Sequence, residues 1–349
     1  MPARQISEAS SGSITIFDVA ERAGVSYGTV SRVINQSPHV RDETRQRVVL
    51  AMQELGYVIN KQARGLAGGR SMMIGVLVPD LGTGYIGEIM RGIDAELGRA
   101  GYDLVLYTTH REETKEAGYV ASLTHGAVEG LLLVLPSNPG LYLDTLRAHD
   151  FPFVLIDHQG INDQGPAVGA TNWQGAFNAT EYLIQQGHSE IGFITGTMDL
   201  GCSRDRLAGY EAALRTHHVP YRAENVCGGD FFQPTGFSCA QNLLNRPDRP
   251  TAIFASNDVM ALGVMEAVRV CGLRVPEDVS VIGFDDIPQS ALLYPPLTTV
   301  RQPLEKMGQV ATQMLLDMLN DPDKQTGRIE LPTELIVRGS TLPLKDRAG

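Results

Sequence analysis

Beyond Ser71 the chain carries seven short apolar runs, at residues 74–78, 104–107, 131–135, 153–156, 191–195, 253–255 and 279–284. Between them lie longer stretches with helical periodicity. Runs of this length, separated by helical segments of about fifteen residues, predict strands joined by crossover helices, and so parallel sheets covered on both faces. The runs fall into a set of four and a set of three, which predicts two such α/β lobes. In open sheets of this kind ligands bind in the crevice outside the carboxyl ends of the strands, so the polar residues just after each run are the candidates for function. No apolar stretch approaches the roughly 18 residues that a membrane-spanning helix needs.

The first seventy residues follow a different pattern. Thr15, three residues ahead of Asp18, has the form of a capping box, and Phe17, Val19, Ala20 and Ala23 supply the apolar positions of a short first helix that Gly24 stops. Ser26 is a good N-cap for a second helix through Asn35, with Val30, Val33 and Ile34 on its buried side. A third helix, over 42–55, buries Val48, Val49, Met52 and Leu55 and ends at Gly56. A small residue at Ala20, a glycine four positions later and apolar Val30 and Val33 form the pattern of a helix-turn-helix. The outer side of the second helix carries Tyr27, Thr29, Ser31 and Arg32, side chains able to reach base edges and phosphates.

A net charge of −11 looks unsuited to a polyanion such as DNA until it is divided along the chain. Residues 1–70 hold nine Lys/Arg against six Asp/Glu, a balance of +3, and the other 279 residues carry −14. Nucleic-acid contact therefore belongs to the first fifth. Residues 1–13 are polar, without the apolar stretch of an export signal, which gives the expectation of a loose tail on a cytoplasmic protein. The four cysteines, Cys202, Cys227, Cys239 and Cys271, have no close metal spacing and do not suggest a disulfide scaffold.

The run TIFDVAERAGVSYGTVSRVINQSPHV, followed by ELGYVINKQARGLAGG, resembles the lactose-repressor family of bacterial transcription regulators, and the likeness extends over nearly the whole chain. It implies that the second helix lies in the major groove of an operator. Tyr27, Gly28 and Arg32 then face bases, while Thr15, Ser26, Thr29, Ser31, Asn35 and His39 lie nearer the backbone. Arginine is the commonest specific reader, through a bidentate pair with guanine. Gly28 departs from the family, which usually has a side chain there, and weakens the helix by up to about 1 kcal/mol relative to alanine. Residues 60–67 are too short for a helix stable in water. The resemblance makes them a hinge helix that folds on DNA, with Asn60 and Ala63 at the duplex and Leu66 wedged into the minor groove. Their bottom-up reading is a linker, made flexible by Gly65, Gly68 and Gly69.

For the remainder the resemblance implies a type I periplasmic-binding-protein-like sensor, its lobes joined by crossings near residues 170–172, 299–302 and 331–332. The resulting division is a tail (1–13), a helix-turn-helix head (14–58), a hinge and linker (59–70), a sensor (71–342) and a tail (343–349). The N-lobe spans about 71–171 and 302–331, the C-lobe about 172–300 and 332–342. Matched residue by residue, the implied effector contacts are Tyr85, Asp157, Arg206, Phe231, Asn257, Asp285 and Gln302. Carboxylates and an amide suit vicinal hydroxyls, an arginine fork spans two of them, and aromatic rings lie against a sugar's C–H face. That chemistry favours a neutral sugar over a purine or a phosphate, which would want more cationic groups. Leu304 stands where several relatives have an aromatic. Asp258 and Asp286, next to two of the chosen residues, are candidates for caps or loop anchors instead.

One motif competes. Gly82-Thr83-Gly84-Tyr85-Ile86-Gly87 is a literal GxGxxG. Pro79, Asp80 and Leu81 separate it from the strand, however, and Asp103 begins the next strand instead of ending it, so the dinucleotide fingerprint is incomplete. No catalytic triad or paired acid is present, and His110, His158, His217 and His218 have no metal spacing. The expected protein is a homodimeric, non-enzymatic transcription regulator without cofactor, most simply a repressor of carbohydrate-utilisation genes released from a pseudo-palindromic operator by a sugar. The alternative is a sugar-binding receptor or transport component. After Arg338 no leucine heptads follow, which favours a dimer over a tetramer.

Overall fold

A computed structural model describes residues 14–34, 37–57, 70–158, 165–324 and 326–344. The chain divides into two compact units, Met1–Gly69 and Arg70–Gly349. The first is a bundle of three helices, α1 (Ile16–Ala23), α2 (Tyr27–Ile34) and α3 (Asp42–Leu55). The Asp18 carboxylate accepts from both the backbone N–H and the hydroxyl of Thr15, at 2.7 Å each, and so fixes the start of α1. Gly24 ends it at φ 65°, a left-handed conformation that costs glycine nothing, and the chain turns directly into α2. Val19, Ala20, Ala23, Val30, Val33, Val48 and Ala51 form the core. Two expectations are corrected here. Val49 is 41% exposed and Ala51 takes its place, because 48, 51, 52 and 55 share a face of α3 and 49 does not. Phe17 is 66% exposed and stacks on Tyr27 instead of entering the core.

The second unit contains two six-stranded sheets of equivalent order, as the alternation of runs implied. One runs β2-β1-β3-β4-β5-β11, from β1 (Met73–Val78), β2 (Asp103–Thr108), β3 (Gly130–Val134), β4 (Phe153–Ile156), β5 (Ala167–Ala170) and β11 (Arg328–Leu331). The other runs β7-β6-β8-β9-β10-β12, from β6 (Ile191–Ile194), β7 (Val226–Cys227), β8 (Ala252–Ala255), β9 (Ser280–Asp285), β10 (Thr298–Arg301) and β12 (Glu334–Ile336). The first sheet is parallel throughout, with Ile74 opposite Leu104 on one side and Gly130 on the other. The second departs from the expected parallel pattern at its edge, where β12 pairs antiparallel with β10.

Helices cover both faces of each sheet. In the first lobe α4 (Gly84–Ala100) and α11 (Leu304–Asn320) bury Ile89, Ile93, Met307 and Leu315 on one face. On the other, α5 (Glu113–Leu123) and α6 (Leu143–Ala148) bury Val120, Leu123 and Leu146. In the second lobe α7 (Asn172–Gln185) and α8 (Gly201–Thr216) lie opposite α9 (Gln233–Leu244) and α10 (Asp258–Val270). The chain passes between the sheets three times: from β5 at Ala170 to α7 at Asn172, from β10 at Arg301 to α11 at Leu304, and from β11 at Leu331 to β12 at Glu334. A disulfide joins Cys227 at the end of β7 to Cys239 in α9, a pairing the sequence spacing did not announce.

Helices α4 and α11 touch through glycine. A Cβ on Gly92 would lie 2.0 Å from the Glu305 carbonyl oxygen, and one on Gly308 would lie 2.2 Å from that of Ile89. Only backbone can yield there, so the helices would have to separate. Gly308→Ala is therefore expected to destabilise the sensor by about 1 to 3 kcal/mol, read as a lower thermal midpoint. An unchanged midpoint would show that this crossing does not hold the lobe together.

Candidate functional site

Two surfaces carry candidate chemistry, one in each unit. On the head, the Ser26 hydroxyl accepts from the Thr29 N–H at 3.3 Å, capping α2. Tyr27 and Arg32 are exposed on this helix, as are Thr15, Ser26 and His39 around it, while Gly28, Thr29 and Ser31 are half-buried. The Phe17 ring, 5.1 Å from that of Tyr27, steadies Tyr27 at the start of α2, a supporting role the sequence reading missed. A Cβ on Gly28 would meet nothing closer than the Ser26 hydroxyl at 4.0 Å, so packing does not require glycine there. Asn35, Asn60, Ala63 and Leu66 lie outside the described residues.

In the sensor, a cleft opens at the carboxyl ends of the strands of both lobes. It is lined by Tyr85, Asp157, Arg206, Phe231, Asn257 and Asp285 from the expected set. Tyr85 donates to Asp157 at 2.7 Å, and Asp157 also accepts from Asn172 at 3.4 Å. Asn172 in turn accepts from Arg206 Nε at 2.8 Å. Arg206 is 2% exposed and lies over the Phe284 ring at 3.8 Å. Its Nη1 reaches the Ser256 carbonyl at 2.5 Å and the Asp285 carboxylate at 3.7 Å. Burial pushes the Asp285 carboxyl well above its ordinary range, and the nearby Arg206 charge works against that rise. Burial likewise raises the Tyr85 phenol, and holds the Cys202 thiol up at about 12, so both stay protonated in the cleft.

Asn257 caps α10, accepting from the Met260 N–H at 2.9 Å, and donates to the Phe231 carbonyl at 3.1 Å. Phe231 lies flat against Gly196, where a Cβ would fall 1.9 Å from the ring. Of the seven expected residues, Gln302 alone is not in the lining. It lies behind Asp285, donating to it at 2.7 Å, and beside a separate concavity. Leu304 is buried in the core of the first lobe and also borders that concavity, not the cleft. Asp258 and Asp286 are loop anchors. Asp258 accepts from the Ile287 N–H and the Ser290 and Thr299 hydroxyls, while Asp286 is held by Arg301 at 2.7 Å and Arg338 at 2.6 Å.

The cleft also contains residues that sequence reasoning missed, among them Asp80, Thr83, Cys202, Phe232 and, most consequential, Arg111. Its guanidinium is a second cation in a cleft expected to suit neutral ligands. Backbone geometry could have located it only after folding. Five lining residues, Arg111, Leu135, Asp157, Phe231 and Asp285, have left-handed φ between 47° and 110°, half of the ten such non-glycine residues among those described. Conformations of this kind cost on the order of 1 kcal/mol or more each and collect where a site is held in place by its surroundings.

A helix-turn-helix unit and a two-lobed cleft on a single chain define a ligand-responsive DNA-binding protein. Residues 15–60 match the bacterial regulatory proteins of the lacI family, and residues 180–341 match the periplasmic binding protein-like domain. The HTH-type transcriptional repressor PurR of Erwinia tasmaniensis is 36% identical over 328 residues, covering 93% of this chain and 96% of that one. The structure is similar to that of the lac repressor dimer bound to operator and the anti-inducer ONPF, with a TM-score of 0.85, 32% identity and coverage of 95% and 100%. It is also similar to the complex of the transcriptional regulator CelR with cellobiose, with a TM-score of 0.71, 33% identity and coverage of 94% and 99%. The chain belongs to the lacI family and is a DNA-binding transcription regulator, not an enzyme. No helix among the described residues is long and apolar enough to cross a membrane.

The buried loop anchor Asp258, next in sequence to Asn257, makes a pH prediction. Burial raises the Asp258 carboxyl from 3.8 to about 7 against the pull of its three donors. The folded state thus holds a proton that the unfolded chain has released, and the stabilisation present below about pH 4 is lost as pH rises through about 7. Asp285 and Glu116, also raised by burial, act in the same sense. The thermal midpoint is expected to fall over that window. Asp258→Asn should flatten the slope while costing about 1 to 3 kcal/mol at low pH through an unpaired donor. A midpoint rising from pH 4 to 7 would contradict the assignment.

Proposed function

We propose that the protein is a repressor that binds a pseudo-palindromic operator as a homodimer in the cytoplasm and is released when a sugar-like effector closes the cleft. The observation that carries this reading is the hydrogen-bonded chain Tyr85–Asp157–Asn172–Arg206. It joins groups suited to vicinal hydroxyls to Asn172, the first residue after one of the crossings between the lobes. A hydroxylated ligand that engages Arg206 and Asp157 also alters the contacts at that crossing. Asp285 does the same at a second crossing through Gln302. The CelR–cellobiose complex shows a similar protein binding a sugar, and the lac repressor dimer shows one binding an operator, which supports both halves of the proposal.

In this reading the head is residues 14–58, the hinge and linker 59–70, and the sensor 71–342. Arg32 and Tyr27 read bases, with Thr15, Ser26, Thr29, Ser31, Asn35 and His39 placed toward the backbone. Asn60, Ala63 and Leu66 complete the contact in the minor groove. Release works only if the effector prefers the arrangement of lobes that binds DNA poorly, since a ligand with equal affinity for both arrangements shifts nothing.

The test is a gel-shift titration of the full chain on the promoter of its own gene, with and without candidate sugars. Specific retardation that declines on addition of one sugar is the expected result. Failure to prefer that promoter over unrelated DNA at low salt would overturn the reading. Arg32→Ala is expected to cost about 1 to 3 kcal/mol of operator affinity and to relax preference at one base position. A uniform loss across all sequences would make Arg32 a phosphate contact.

A further inference from the structure

We propose that the effector carries an anionic group, a carboxylate or a phosphate on an otherwise hydroxylated body, and that Arg111 receives it. The proposal rests on reading the cleft as the effector site and names the chemical class of its ligand. Arg111 follows the end of β2 by three residues. The turn that brings it into the cleft sets two consecutive residues, His110 and Arg111, at φ 53° and 59°. Left-handed backbone is unfavourable for any side chain with a Cβ, and two such residues in succession persist only where the surroundings fix them.

The side chain so placed is incompletely satisfied. Its Nε is buried and has no hydrogen-bond partner, and no carboxylate of the described residues lies within the 4.0 Å of an ion pair. The nearest compensation is aromatic: the guanidinium carbon lies 6.0 Å from the Phe231 ring and 5.7 Å from the Phe232 ring, both on the opposite lobe. Aromatic faces attract the charge but accept no in-plane hydrogen bond from Nε. A guanidinium fork with an unused N–H is matched by the paired oxygens of a carboxylate or phosphate.

The other cation of the cleft leaves no such opening. Arg206 is answered by Asn172, Ser256 and Asp285. Asp80, a further charged group in the lining, accepts from the Gly82 N–H at 2.9 Å through one oxygen. Arg206 lies 5.9 Å from the same Phe231 ring that Arg111 approaches at 6.0 Å, so the two guanidinium carbons are at most 11.9 Å apart. One ligand can span that distance, its hydroxyls toward Arg206 and Asp157 and its anion at Arg111.

Calorimetric titration of the full chain with glucose, glucose 6-phosphate and glucuronate tests this. At least one of the two anionic sugars is expected to bind tenfold or more tighter than glucose, and which one does so distinguishes phosphate from carboxylate. Arg111→Gln, with its fold checked by circular dichroism, should abolish that preference, weakening the preferred anionic sugar at least tenfold more than it weakens glucose. Three results would overturn the proposal: glucose binding as tightly as both anions, neither anion binding at millimolar concentration, or Arg111→Gln weakening neutral and anionic sugars equally. The last would make Arg111 a latch between the lobes. Operator binding is measured separately by gel shift. Its loss with anion binding intact would fail the repressor reading and leave this one standing.

Discussion

A guanidinium that is 2% exposed must be matched by acceptors on every side, and the arrangement of the sensor follows from how Arg206 is matched. Its partners come from three places: Asn172 at the first crossing between the lobes, the Ser256 carbonyl after β8, and Asp285 at the end of β9. Two of these partners extend the network. Asn172 leads to Asp157 and Tyr85 of the first lobe, and Asp285 to Gln302 beyond β10. A ligand that displaces or strengthens any one of these bonds changes the demand on the others, because a buried network left partly satisfied is worse than none. For the proposed release by a ligand, this network is a direct physical route through two of the three crossings.

The wall of the same region is tied together from several elements. Phe231 is held by the Gly196 surface beneath its ring and by Asn257 on its carbonyl, and Asn257 is itself fixed as the cap of α10. Asp258, next in sequence, ties the loop after β9 and the strand β10 to the same helix start. The disulfide between Cys227 and Cys239 closes the segment that carries Phe231 and Phe232. For the proposed release by a ligand, a wall cross-tied in this way favours movement of the lobes as bodies about their crossings.

Most of the strands legible in the sequence were those buried on both sides, although the half-exposed β2 was also read and the buried but small-residue β5 (AVGA) was not. Strands such as β3 and β4, whose every residue is buried, read as unbroken apolar runs. β11 (RIEL) and β12 (ELI) lie at sheet edges with one side toward solvent, and β10 (TTVR) is rich in threonine, so their pairing is decided by tertiary context and none stands out as an apolar run. The cleft was legible where a side chain sits at a strand end within a recognisable stretch, as with Asp157, Asn257 and Asp285. Arg111 was not, because it follows a polar turn whose left-handed geometry no residue type announces, there being no glycine at 110 or 111. Gln302 was identified as a contact yet stands one residue behind, a distinction that depends on side-chain direction and not on position in the chain. Cys227 and Cys239 are twelve apart with no motif between them, and only the approach of β7 to α9 makes them partners.

The head poses the opposite problem. Its buried core residues are three alanines and four valines, and larger apolar side chains such as Ile16, Met52 and Leu55 are only partly buried against them, so hydrophobic burial supplies a limited margin for a unit of this size. Local devices therefore carry a larger share of its stability: the Asp18 cap, the left-handed glycines at 24 and 56, and the Arg22–Glu54 ion pair between α1 and α3. Gly28 draws on that margin. It costs helix stability at a position where a side chain would fit. With a charge balance of only +3 in residues 1–70, the electrostatic share of one head's hold on DNA is small. In the proposed dimer two heads bind one operator together, which multiplies a hold that is small for each alone.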